Sequence, residues 1–140
     1  MREILFRGKR IDNGEWVEGG YKHEKVGEYL TAVFIIEELT SGVFENHRAD
    51  HKTVGQYTGL TDKHGTKIFE GDVVKAVING GPYDKFAFPV GVIAFENGCF
   101  GNKDRKQFTP LSSYATRVSF EVIGTIHDNP ELVKGETDNA

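Results

Sequence analysis

The sequence predicts a mainly β protein with little helix, built from an N-terminal hairpin region and a small barrel in the C-terminal half. Turn residues dominate: there are seventeen glycines, and Asn13-Gly14, Asn79-Gly80 and Asn97-Gly98 each supply the positive φ angles of a tight hairpin. The strand-like runs are rich in β-branched and aromatic residues, as in Tyr29-Leu30-Thr31-Ala32-Val33-Phe34-Ile35-Ile36. Between Thr53 and Ile78 the order strand, turn, turn, strand packs high curvature into few residues, which suits a small barrel better than a flat sheet.

Each element follows from local chemistry. Ile4–Ile11 and Trp16–Tyr21 flank Asn13-Gly14 as a first hairpin. Glu28–Glu38 reads as a strand that Thr40-Ser41-Gly42 breaks. Glu45–Lys52 is polar and reads as a loop, and as the boundary between two halves. Val54–Thr58 is a short strand. Asp62-Lys63-His64-Gly65 has the signature of a type I turn, with Asp62 accepting from the backbone two residues on and Gly65 left-handed. Lys67-Ile68-Phe69 is extended, and Gly71-Asp72 turns the chain into Val73–Ile78. After Asn79-Gly80 the chain loops to Phe86 and Phe88, and Val90–Glu96 pairs with Cys99-Phe100 about Asn97-Gly98. Lys103–Lys106 is a solvated connector, Pro110–Tyr114 one helical turn, and Ser119–Ile126 a closing strand. Asn129-Pro130-Glu131 has the pattern of a helix start, with Asn as its cap. The organisation expected is therefore 1–52 as a β-hairpin subdomain, 53–134 as the barrel and 135–140 as a frayed tail.

The chain of 140 residues is 38% hydrophobic, which is enough to bury a core. Seventeen Lys and Arg against twenty-one Asp and Glu give a net charge of −4, which argues against attraction of nucleic acid or anionic lipid by the whole surface. The charge is uneven, however. Arg2, Arg7, Lys9 and Arg10 crowd the first ten residues, and the C-terminal end is acidic. The single cysteine, Cys99, cannot form an internal disulfide. No apolar run is long enough to span a bilayer, and the apolar stretch at the start is too short for a secretion signal. A bacterial cytoplasm with no membrane association is the expected setting.

No residue pattern here points to catalysis. A nucleophile needs a base beside it, and neither Gly-x-Ser-x-Gly nor Cys-x-x-Cys occurs; Cys99 reads as a small hydrophobe near a hairpin tip. His47 and His51 are four apart and on a helix would share a face. Their surroundings read as solvated loop, though, and Arg48 and Lys52 would repel a cation. His23, His64 and His127 are isolated. Asp72 reads as a turn-former rather than half of a carboxylate pair with Glu70. The glycines join strand to strand, so they are not a phosphate cradle. No enzyme, cofactor or metal is expected. Trp16 beside the basic N-terminal strand, with Tyr29, Tyr57 and Tyr83, could stack on bases, although aromatics along strands are commonly core.

Taken together, three segments carry a resemblance. Arg2–Arg10 with Gly14–Gly19 resembles the opening of the YopX family. Val54–Asp62 with Gly65 and Ile68–Val74 resembles its central signature, and Phe120–Ile126 with Asn129–Leu132 its closing one. Tyr21–Lys52 and the loop Asn79–Pro89 carry no part of the resemblance. The resemblance implies a phage or prophage protein with an SH3-like barrel in the C-terminal half, and brings no activity, cofactor or catalytic residue. Two functions are then in view. One is a non-enzymatic binding or adaptor protein that engages a protein partner or itself. The other is a nucleic-acid-binding accessory protein using Arg2, Arg7, Lys9, Arg10 and Trp16, with Lys103, Arg105 and Lys106 as further phosphate contacts. A small hydrolase resting on His47 and His51 ranks last.

Overall fold

Strands account for most of the chain in the computed structural model, which describes residues 2–78, 87–104, 107–114 and 118–133. The Asn79-Gly80 turn, Tyr83, Phe86, Arg105, Lys106 and the 134–140 tail lie outside the described residues. The chain divides into two compact units, Met1–Tyr57 and Thr58–Ala140.

The first unit is an antiparallel meander. Its strands are β1 (Phe6–Lys9), β2 (Trp16–Lys25), β3 (Thr31–Thr40) and β4 (Val43–Ala49), then a 3₁₀ turn at His51–Thr53 and the start of β5 (Gly55–Thr61). The order across the sheet is β4-β3-β2-β1-β5. Glu45–Lys52 is thus not a loop: most of it is β4, paired with β3 through Ile35↔His47 and Val33↔Ala49. Its polar sequence arises because the residues facing away from the core are polar and the inward ones are His47 and Ala49 rather than large hydrophobes. A bridge Arg10↔Ala49, with Ile11 N–H to Arg48 O at 3.0 Å and Asp50 N–H to Lys9 O at 2.9 Å, joins the ends of β1 and β4. The sheet therefore curls around Val17, Ile35 and Ala49, against which Phe6 and Val54 pack. Gly8 sits inside that curl. A Cβ there would lie 3.1 Å from Ala49, 3.2 Å from Val54 and 3.3 Å from Ile35.

In the second unit, β5 and β6 (Lys67–Phe69) are neighbours. A five-stranded antiparallel sheet follows from β7 (Asp72–Ile78), β8 (Ala87–Glu96), β9 (Cys99–Asp104), β10 (Gln107–Pro110) and β11 (Val118–Thr125), in the order β10-β9-β8-β7-β11. Among the described residues β10 and β11 do not pair, so the sheet is not a closed barrel. Its core is Ile68, Val74, Ala76, Ile93 and Phe120, with Leu111, Tyr114, Val118 and Val122 against it. Bulges interrupt β7 between Lys75 and Val77 and β11 between Val122 and Gly124, where an extra residue bends the strand.

Turn chemistry largely follows the sequence. Asn97 (φ 54°) and Gly98 (φ 80°) make the two-residue hairpin between β8 and β9. At the first hairpin only Gly14 has positive φ, and the loop is longer, closed by Arg10 N–H to Glu15 O at 2.9 Å. The connector expected at Lys103–Lys106 belongs in part to β9, which pairs with β10. Leu111–Ser113 forms the expected turn of helix. Asn129 does not cap a full helix: Pro130–Val133 is one 3₁₀ turn, and the Asn129 side chain accepts from Thr125 N–H at 3.2 Å, packed over Gly124.

Candidate binding surfaces

Asp62 and Asp72 show why the most turn-rich stretch is architecture. Asp62 is 7% exposed and accepts three backbone N–H bonds: His64 at 2.8 Å, Thr66 at 2.9 Å and, from β11, Val122 at 3.0 Å. Burial alone would raise its pKa, but these donors, led by Val122, outweigh burial and hold the carboxyl below the usual carboxylate range. Lys63 N–H adds a 2.9 Å bond to Phe120 O, so the Asp62–Thr66 loop is laced along the outer edge of β11. Gly71 (φ 89°) donates to Ile93 O and accepts from Ile126 N–H, both at 2.9 Å, while the buried Asp72 accepts from Phe69 N–H at 2.8 Å.

Beside that loop, Leu60, Ile68, Leu111, Tyr114, Val118 and Phe120 line an open groove of about 270 Å³. Tyr114 and Phe120 meet edge to face with centroids 5.0 Å apart. Leu60 is 48% exposed in this lining, which also includes Lys63, itself 3.7 Å from Glu121. Sequence reading passed over this groove, because its lining comes from four separated segments.

The basic N-terminal residues separate into different environments. Arg7 lies 4.6 Å from the Trp16 ring centroid and Lys9 lies 5.6 Å from it, since β1 and β2 pair with Lys9 opposite Trp16. Arg10 is instead held by Asp12 in a two-point contact at 3.0 and 2.7 Å, which raises the arginine's pKa and lowers that of Asp12. Arg2 is exposed before the first strand. Lys103, in β9, pairs with Glu96 at 3.0 Å. Tyr57 is buried, and Tyr29 is fully displayed at 92% exposure.

His47 and His51 do not share a helix face. His47 is in β4, 5% exposed, with Nε2 2.9 Å from Glu37 Oε1 and Nδ1 3.7 Å from Glu45 Oε1, whereas His51 is exposed in the following 3₁₀ turn. A cleft of about 310 Å³ runs past His47, walled by Arg10, Asp12, Glu45 and Arg48. Among the described residues no three His, Cys, Asp or Glu side chains gather into a metal site. Cys99 is half-buried, its thiol 3.6 Å from Glu96 O. No helix among the described residues is long and apolar enough to cross a membrane.

Comparison with known proteins places this architecture. A family model described as YopX protein matches residues 5–134. A solved structure, the crystal structure of protein EF1440 from Enterococcus faecalis, is similar at 25% identity, covering 96% of this chain and 100% of that one with a TM-score of 0.56. No match is found among curated proteins.

Proposed function

We propose, for a chain that belongs to the YopX protein family, a non-enzymatic binding role in which the second unit docks a protein partner. The observation that carries this reading is the groove of Leu60, Ile68, Leu111, Tyr114 and Phe120, an aromatic-lined concavity with a charged rim. Concave apolar surface with a few polar groups at its edge is the general form of a recognition site. The unit itself is read as an SH3-like curled sheet. In support, β7 and β11 are bent by bulges, a 3₁₀ turn follows β10, and the Asp62–Thr66 loop extends the hydrogen bonding beyond β11. The setting proposed is the cytoplasm of a bacterium carrying a phage or prophage, which accords with an unpaired Cys99.

The test is affinity capture from lysogenic cells with the parent chain and with Leu60→Asp and Tyr114→Ala, alongside light scattering. A partner, or a second copy, retained by the parent and lost from both groove variants is the expected result. A clean monomer with no groove-dependent partner overturns the reading.

A second reading, nucleic-acid binding by the first unit, is favoured by one observation: Arg7 and Lys9 converge on the ring of Trp16. Arg10 contributes less to it, because Asp12 already neutralises that guanidinium.

A further inference from the structure

We infer that the outer face of the first unit's sheet is a stacking platform for single-stranded nucleic acid, built from Trp16 and Phe34 with Arg7, Lys9, Lys22 and Arg48. The inference rests on the nucleic-acid reading and assigns it a ligand form and three residues outside the N-terminal segment.

Strand alternation and register define the face. Gly8 points into the core, so Arg7 and Lys9 point outward. Trp16 is opposite Lys9, which places it, Gly20 and Lys22 on the same outer side of β2. Lys22 is opposite Phe34, and Phe34 is opposite Arg48 on β4, so these three form one row across three strands. The Lys22 ammonium stands 5.1 Å from the Phe34 ring centroid, repeating the cation-and-ring arrangement of Arg7 and Lys9 at Trp16. Two aromatic rings thus lie on one face, with Arg7 and Lys9 over Trp16, Lys22 over Phe34 and Arg48 opposite Phe34 in register, so a stacking base takes the place of a cation that swings to the neighbouring phosphate. Trp16 and Lys22 are six positions apart on β2, so the two rows lie about 20 Å apart along the strand.

The ground between them is low. Gly20 is exposed mid-strand, and a Cβ there would make only an ordinary 3.9 Å contact with Ile36. A face of this kind presents rings to bases and ammonium or guanidinium groups to the phosphates on either side, which an unpaired strand can satisfy. Duplex DNA keeps its base faces stacked inside and could use only the charges. Those charges are modest: Glu18, Glu24 and Glu38 share the face, and Glu24 lies 3.8 Å from Lys22 in an exposed, weak pair. Ring stacking, not charge, is therefore what selects the ligand.

The chain's sole tryptophan is part of the platform, so its fluorescence reports occupancy directly. The full chain is titrated at low salt with an oligothymidylate of about twelve nucleotides, with a duplex of equal length, with polyphosphate and with polyglutamate. Expected are quenching of Trp16 by the single strand and at least about tenfold weaker binding of the duplex. Phe34→Leu, which keeps apolar volume, weakens binding about tenfold without altering the circular dichroism spectrum. Lys22→Gln and Arg48→Gln each flatten the dependence of log K on log salt by about 0.7. Equal binding of single strand and duplex, insensitive to Phe34→Leu, overturns the platform and leaves the nucleic-acid reading standing. Binding of neither nucleic acid removes both. Polyphosphate or polyglutamate matching the oligonucleotide reduces the face to an anion exchanger or an acidic-protein site and also overturns the inference.

Discussion

Asp62 concentrates more of the second unit's order than any other polar side chain described above. One carboxylate answers two N–H groups of its own turn and one from β11 sixty residues away. Replacing it with Ala leaves three donors without a charged acceptor and is expected to cost about 3 kcal/mol in urea denaturation. Asp62→Asn keeps one carbonyl oxygen and should lose roughly half of that. The pH dependence follows from the lowered pKa. Its contribution is complete above the unfolded carboxyl's value near about pH 4, and it drains away as pH falls through the lower folded value. The parent should therefore lose more stability than Asp62→Asn in melts taken from about pH 5 down to pH 2. Gly8 is the matching residue in the first unit. A Cβ there would meet Ala49, Val54 and Ile35 at 3.1–3.3 Å, so Gly8→Val is expected to destabilise by about 2–3 kcal/mol through overpacking, read by the Trp16 emission midpoint.

At the scale of elements, hairpins whose geometry is local were legible. Asn97-Gly98 could be read because positive φ at two successive residues has few sequence solutions, and Asp62–Gly65 because an Asx turn uses its own side chain. β4 and β10 were not legible, for a different reason. A strand is announced by its apolar face, and the inward face of β4 carries a histidine held by two glutamates. In β10 the one large apolar group, Phe108, fills the space beside Gly101 on β9. Both are fixed by pairing with the strand just before them rather than by an apolar pattern of their own. The candidate surface shared that fate. Arg7, Lys9 and Trp16 were visible as a cluster, but Lys22, Phe34 and Arg48 join only once β4 is a strand in register. Two glycine substitutions separate local from non-local control. Gly98→Ala, strained at φ 80° but open on all sides, should cost about 1 kcal/mol. Gly19→Ala would drive a Cβ into the backbone carbonyl oxygen of Ile36, so β2 and β3 must part locally. Loss of amide protection around Gly20 and Ile36 in hydrogen exchange is the measurement, with no such loss at residues 96–99 in Gly98→Ala.

For the molecule as a whole, each unit has a core of its own, and each offers a different surface. The first presents rings and cations on a curled sheet, and the second an aromatic groove beside a loop clamped by a buried carboxylate. A net charge of −4 spread over both fits a protein selective for a ligand by shape and ring contact, since bulk attraction to a polyanion is absent. Native-state hydrogen exchange should find the slowest amides at Val73, Val74 and Ile93 in the second unit and at Ile35 in the first, where side chains are fully buried. The hairpin ends near Tyr29 and Phe44 should exchange fastest, being open to solvent.

The position of β1 has a consequence for biosynthesis. It lies between β2 and β5, with Phe6 opposite Gln56, so β1 is synthesised about fifty residues before its second neighbour. Until then it can be held only by the β1–β2 hairpin, while β2, β3 and β4 can assemble in succession from neighbours in sequence. Capture of β5 is therefore the late, high-contact-order step of the first unit. A synonymous or temperature change that slows translation between residues 50 and 60 would lengthen the life of an intermediate whose β1 edge is unpaired.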